Sequence, residues 1–174
     1  MAEVVVHLAH GASSGAESML RHVRGLRARG VAAQTVQLPR GKAERAVPAY
    51  LAAVPPGTDA VIGGHSYGGR VASLAAADHE YAGLVLLSYP LHAPGAPERW
   101  DERTSHWTRI ACPVLLLSGD RDPFARMELL RDAVQRLPRH ELVVYPGVRH
   151  GIGPVLDDAL DRIVAFVRAL PTGP

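Results

Sequence analysis

The apolar run Ala60–Ile62 leads directly into Gly-Gly-His-Ser-Tyr-Gly-Gly-Arg at positions 63–70. A strand that ends in Gly64-x-Ser66-x-Gly68 can turn sharply into a helix and leave the serine hydroxyl exposed at the bend. The serine backbone is strained in such a turn, and its neighbours must be small where helix and strand pack closely. Glycine, lacking a Cβ, meets both demands. The pattern therefore requires a strand before it and a helix after it.

The rest of the chain supplies that context. Six short apolar segments recur: Val4–Ala9, Val31–Leu38, Ala60–Gly63, Leu84–Ser88, Val114–Ser118 and Leu142–Tyr145. Most are continuous Val, Leu and Ile runs, as parallel strands buried on both faces require. Helical spacing fills the gaps. Ser18–Arg29 places Met19, Val23 and Leu26 on one face, and Gly30 follows as a stop. Ala43–Ala53 is a weaker helix, interrupted by Pro48. Gly69–His79, Ala125–Leu137 and Val155–Leu170 complete the set. Pro90–Arg109 has no clear period and reads as a loop with at most one helical turn. At 174 residues the chain suits one domain, spanning 1–174. The expected fold is a three-layer α/β/α sandwich around a mostly parallel six-stranded sheet in the order 2-1-3-4-5-6.

Sites in such sheets lie outside the carboxyl ends of the strands. Four strand ends here are chemically unusual: His10-Gly11-Ala12, His65-Ser66-Tyr67, Ser118-Gly119-Asp120-Arg121-Asp122 and Gly147-Val148-Arg149-His150-Gly151. Acyl transfer at neutral pH needs an activated nucleophile, a base that later acts as an acid, and a group that orients the base. The chain offers these in the order Ser66, then Asp122 or Asp120, then His150.

That order, with Gly64–Gly68 as nucleophile elbow, resembles the alpha/beta-hydrolases. Gly119-Asp120-Arg121-Asp122-Pro123-Phe124 is similar to the family's acid loop, and Arg149-His150-Gly151 to its histidine loop. The resemblance places the acid before Pro-Phe, which favours Asp122 over Asp120. Asp120 is then expected to bond loop amides. His10-Gly11-Ala12 resembles the loop whose backbone N–H helps to bind an oxyanion, so the backbone amides of Ala12 and Tyr67 are the implied donors. Ser88–Gly95 looks like a lean, capless subgroup, related to dienelactone hydrolases and to a hydrolase-like domain of a chromatin-associated subunit. Dienelactone hydrolases use Cys where this chain has Ser66. The resemblance implies a serine esterase or thioesterase with no cofactor and a small ester or thioester substrate. His92, Trp107 and Phe124 are the candidates to line the acyl pocket, with Trp100 beside them. The other reading is a hydrolase-shaped binding or scaffold protein that turns over poorly.

Composition narrows the partners. The formal net charge is +2, and the basic residues are scattered from Arg21 to Arg168, so no nucleic-acid stripe is expected. No cluster of Lys or Arg near the four loops demands an anionic ligand, although Arg70, Arg121 and Arg149 lie close to the motifs. Cys112 is the single cysteine, read as a buried thiol, and no paired His spacing suggests a metal. No basic leader precedes an apolar core, and no apolar run approaches about 18 residues, so a cytoplasmic protein with no membrane partner is expected. The sequence does not set an oligomeric state.

Overall fold

Six parallel strands form one sheet in the computed structural model, which describes residues 3–171. They are β1 (Val5–Ala9), β2 (Ala33–Val36), β3 (Gly57–His65), β4 (Tyr81–Leu87), β5 (Val114–Gly119) and β6 (His140–Tyr145). Their order is β2-β1-β3-β4-β5-β6, the order expected above. The single-domain expectation also takes in residues 1, 2 and 172–174, which lie outside the described residues.

Five helices cover the sheet: α1 (Leu20–Ala28), α2 (Ala43–Ala53), α3 (Tyr67–Asp78), α4 (Met127–Ala133) and α5 (Leu156–Ala169). Side chains alternate between the two faces of a strand, and the buried residues divide accordingly. On one face Leu8, Val85, Leu115 and Leu117 meet Val23 and Leu26 of α1 and Leu160 and Ile163 of α5. On the other, Ile62, Leu84, Leu86 and Leu116 meet Tyr50 of α2, Val71 and Ala72 of α3, and Leu130 of α4. Burial on both sides is why these strands read as unbroken apolar runs.

The differences from the sequence reading lie at the ends of elements. β3 begins at Gly57, three residues before its apolar run, and β2 is shorter than Val31–Leu38. The first helical stretch opens with a 3-10 turn over Ala16–Met19, and α4 closes into another over Val134–Arg136. Pro48 stands inside α2 without ending it. The segment between β4 and β5 holds two 3-10 helices, Pro97–Arg103 and Ser105–Arg109, instead of at most one turn.

Candidate active site

Ser66 sits between the end of β3 and the first residue of α3, with φ 50° and ψ −114°. Two ladders hold it there. Its N–H donates to the Leu87 carbonyl of β4 at 2.9 Å, and its carbonyl accepts from the Arg70 N–H at 3.0 Å. The flanking glycines let α3 rest on β1. A Cβ at Gly64 would lie 2.4 Å from the Ala9 carbonyl oxygen, and one at Gly68 would lie 2.5 Å from it. Behind the turn, the buried Tyr50 hydroxyl accepts from the Gly63 N–H at 3.0 Å and pins the strand leading to the serine.

His150 reaches the serine from the loop after β6. Its Nε2 lies 2.8 Å from Ser66 Oγ, and its Nδ1 lies 2.8 Å from Asp122 Oδ2. With Nδ1–H donating to the carboxylate, Nε2 is left to accept the serine hydroxyl. Asp122 is fully buried at its side chain, and its Oδ1 also accepts the Phe124 N–H at 2.8 Å. The acid and histidine loops touch backbone to backbone, with the Arg121 N–H on the Val148 carbonyl at 3.0 Å. Asp120 turns outward and accepts the Gly147 N–H at 2.7 Å, which ties the two loops together. The structure thus brings Ser66, His150 and Asp122 into one hydrogen-bonded chain and leaves Asp120 on its outer side.

Two rings flank the His150 imidazole. Phe124 is 4.4 Å away between centroids and His65 is 5.1 Å away. Burial, and then the neighbouring His150, push the His65 imidazole down to about 4. Neutral at physiological pH, His65 packs on His150 without opposing a positive charge there.

Ala12, Ser66, Tyr67 and Phe124 all line one cavity of about 740 Å³. Tyr67 is the first residue of α3, so its N–H has no acceptor within the helix. His10 fixes the opposite loop: its Nδ1–H donates to the Gly11 carbonyl at 2.7 Å, and its Nε2 accepts the Leu38 N–H at 3.0 Å.

The other pocket candidates lie elsewhere. Trp107 does not line this cavity. It is fully buried in the core, with its ring edge-on to Tyr89 at 4.9 Å. His92 is also buried and does not face the cavity. Its Nδ1–H donates to the Ala93 carbonyl, and its Nε2 accepts the Arg126 N–H at 2.9 Å. It fastens the segment after β4 to the acid loop. In place of these two, the structure puts basic residues on the cavity wall, among them Arg70 and Arg103. Among the described residues no three His, Cys, Asp or Glu side chains converge as a metal group, and no helix is long and apolar enough to cross a membrane.

Residues 2–162 match the family model of an alpha/beta hydrolase domain. Solved structures share the fold at low identity. The monoacylglycerol lipase of Paleococcus ferrophilus is 16% identical, with 96% of each chain covered and a TM-score of 0.78. Est1E from Butyrivibrio proteoclasticus is 19% identical, with 97% of this chain and 89% of that chain covered and a TM-score of 0.76. DcsB, solved with a substrate analogue, is 12% identical over 99% of this chain and 92% of its own, with a TM-score of 0.81. At these identities the likeness is one of fold. The family match runs through all six strands and the loops that carry Ser66, Asp122 and His150, and the chain belongs to the alpha/beta hydrolase domain family.

Proposed function

We propose that the protein is a serine hydrolase that cleaves a small ester or thioester through an acyl-enzyme. The observation that carries this reading is the unbroken chain from Ser66 Oγ to His150 Nε2 at 2.8 Å, and from His150 Nδ1 to Asp122 at 2.8 Å, opening on a cavity. Ser66 Oγ attacks the substrate carbonyl carbon while its proton passes to His150 Nε2. The carbonyl π electrons move to oxygen, where the N–H groups of Tyr67 and Ala12 receive them. Collapse of the tetrahedral adduct expels the alcohol or thiol, which takes the proton back from His150. Water then adds to the acyl-Ser66 carbonyl by the same route and releases the acid. Asp122 holds the imidazole in its working tautomer and stabilises the imidazolium.

Phe124 supports the base by packing on its ring, and it also lines the cavity as a substrate contact.

Labelling with a fluorophosphonate probe tests the proposal. Covalent modification at Ser66, lost in Ser66→Ala and in His150→Ala, is the expected result. An unmodified Ser66 in the folded protein would return the chain to the reading of a binding or scaffold protein.

A further inference from the structure

The cavity beside Ser66 carries five basic side chains and two acidic ones. Both carboxylates are already engaged: Glu44 pairs with Arg70, and Glu102 pairs with Arg99 at 2.9 Å. Lys42, Arg45 and Arg103 form no ion pair among the described residues, which leaves three uncompensated positive charges in one hollow. The whole chain has a formal net charge of only +2, so this excess is local and not a property of the surface at large.

Arg70 and Arg103 are the inner members. Arg70 stands one turn along α3 from Ser66, its side chain is 18% exposed, and its Nε is buried without a hydrogen-bond partner. Arg103 approaches from the other wall, half-buried, and donates to the Pro90 carbonyl at 2.9 Å. Burial, and after it the charge of Arg70, lower the pKa of the Arg103 guanidinium. Two guanidiniums in each other's field, one of them lacking a carboxylate, are a cost in the empty cavity. An oxyanion between them converts that cost into binding, because the planar fork of arginine matches carboxylate and phosphate oxygens.

We propose that this cavity selects an anionic substrate: an ester or thioester bearing a carboxylate or phosphate, held by Arg103 and Arg70 with the exposed Lys42 and Arg45 steering its approach. The proposal rests on the serine hydrolase reading and names the substrate class for it. An anion engaged by the guanidiniums leaves its acyl carbonyl within the same hollow as the Ser66 hydroxyl.

Hydrolysis of p-nitrophenyl hemiglutarate and p-nitrophenyl butyrate by the full chain tests it. The expected preference in kcat/KM for the charged ester is about 10- to 100-fold, the range that one or two charge-assisted hydrogen bonds supply. The preference should shrink toward 1 M salt, where the Debye length falls to about 3 Å. Arg103→Gln should collapse the ratio and Arg103→Lys should retain part of it. Lys42→Gln with Arg45→Gln, both exposed and safe for folding, should lower it by a smaller factor. A parallel pair, butyryl coenzyme A against its N-acetylcysteamine analogue, reads the phosphate arm, so the arm with the larger preference identifies the anion. Equal rates within both pairs would overturn the anion subsite while leaving the hydrolase reading intact. If neither ester is cleaved and Ser66 resists the fluorophosphonate, the hydrolase reading fails. Calorimetric titration of Ser66→Ala with glutarate and with inorganic phosphate then decides the subsite: Arg103-dependent binding of either anion supports it, and binding of neither overturns it.

Discussion

His150 Nδ1 and the Asp122 carboxylate meet at 2.8 Å, with the acid fully buried and the histidine only 20% exposed above it. The geometry separates the two aspartates of the same loop. In Asp122→Asn the amide oxygen keeps the Phe124 N–H and the NH2 group faces His150 Nδ1, which favours the other imidazole tautomer, and turnover of an activated ester should fall by up to roughly 10⁴-fold. Asp120→Asn alters only the bond to the Gly147 N–H, and it should cost stability on the order of 1 kcal/mol with turnover nearly unchanged. Turnover and melting temperature measured on both variants check this. The reverse pattern would give the acid role to Asp120.

Ser66 holds a backbone conformation that residues with a Cβ rarely adopt, with φ 50° and ψ −114°. Such a residue stores about 1–3 kcal/mol of strain. Ser66→Gly releases it, against an unfolded-state cost of about 1 kcal/mol for the added glycine. The variant should lose all fluorophosphonate labelling and yet melt at or above the wild-type temperature. Ser66→Ala should lose labelling and melt close to wild type, because its Cβ keeps the strain. A Ser66→Gly variant that melts well below Ser66→Ala would show that the turn is unstrained.

Gly68 and Gly30 predict different sensitivities to the same change. A Cβ at Gly68 would lie 2.5–2.6 Å from backbone atoms of Ala9 and His10, none of which can swing aside. Gly30 has φ +78° and open space around the added carbon. Gly68→Ala should therefore destabilise by about 3 kcal/mol or more as α3 lifts from β1. Gly30→Ala should cost only about 1–2 kcal/mol, the penalty of the left-handed conformation. Urea unfolding of both proteins ranks them, and equal losses would contradict the close packing of the turn.

Acid should weaken the fold. Burial pushes the imidazoles of His22, His65 and His106 down to about 4, from 6.5 for an unperturbed ring. Between those values the unfolded chain binds more protons than the folded one, so stability rises with pH across that window. The contribution is fully present above about 6.5 and is lost as pH falls toward about 4. Melting temperature should be level near neutrality and drop steadily below about pH 6. His106→Gln, whose side-chain amide can still hydrogen-bond the Ser73 hydroxyl, should flatten the slope. A level profile down to about pH 4.5 would show that these rings gain protons without unfolding.

The central strands were legible because both of their faces are buried, so Val114–Leu117 and Leu84–Leu87 read as unbroken apolar runs. The loops were legible because each motif follows directly on its strand. Other features leave no periodic trace. The 3-10 helices over Pro97–Arg103 and Ser105–Arg109 lack the 3.6-residue repeat by which a helix is recognised. Trp107 has the size and chemistry of a pocket residue, and only its packing against Tyr89 assigns it to the core. The basic cluster was invisible for a different reason. Lys42, Arg70 and Arg103 come from three separate elements, and the fold alone brings them to one wall.

The sheet register carries a consequence for the chemistry proposed at Ser66. Gly119 of β5 stands beside Tyr145 of β6, and the acid and histidine loops spring from that pair. One residue of slip displaces a strand by about 3.3 Å. That is more than the 2.8 Å separating His150 from Asp122. Ser66 leaves from β3, with β4 between it and β5, so four adjacent strands must be seated together before the three side chains can touch. Reactivity at Ser66 thereby becomes a gauge of cooperative folding. In a denaturant series, probe labelling and sheet signal should vanish along one curve, with no partly folded species that still reacts.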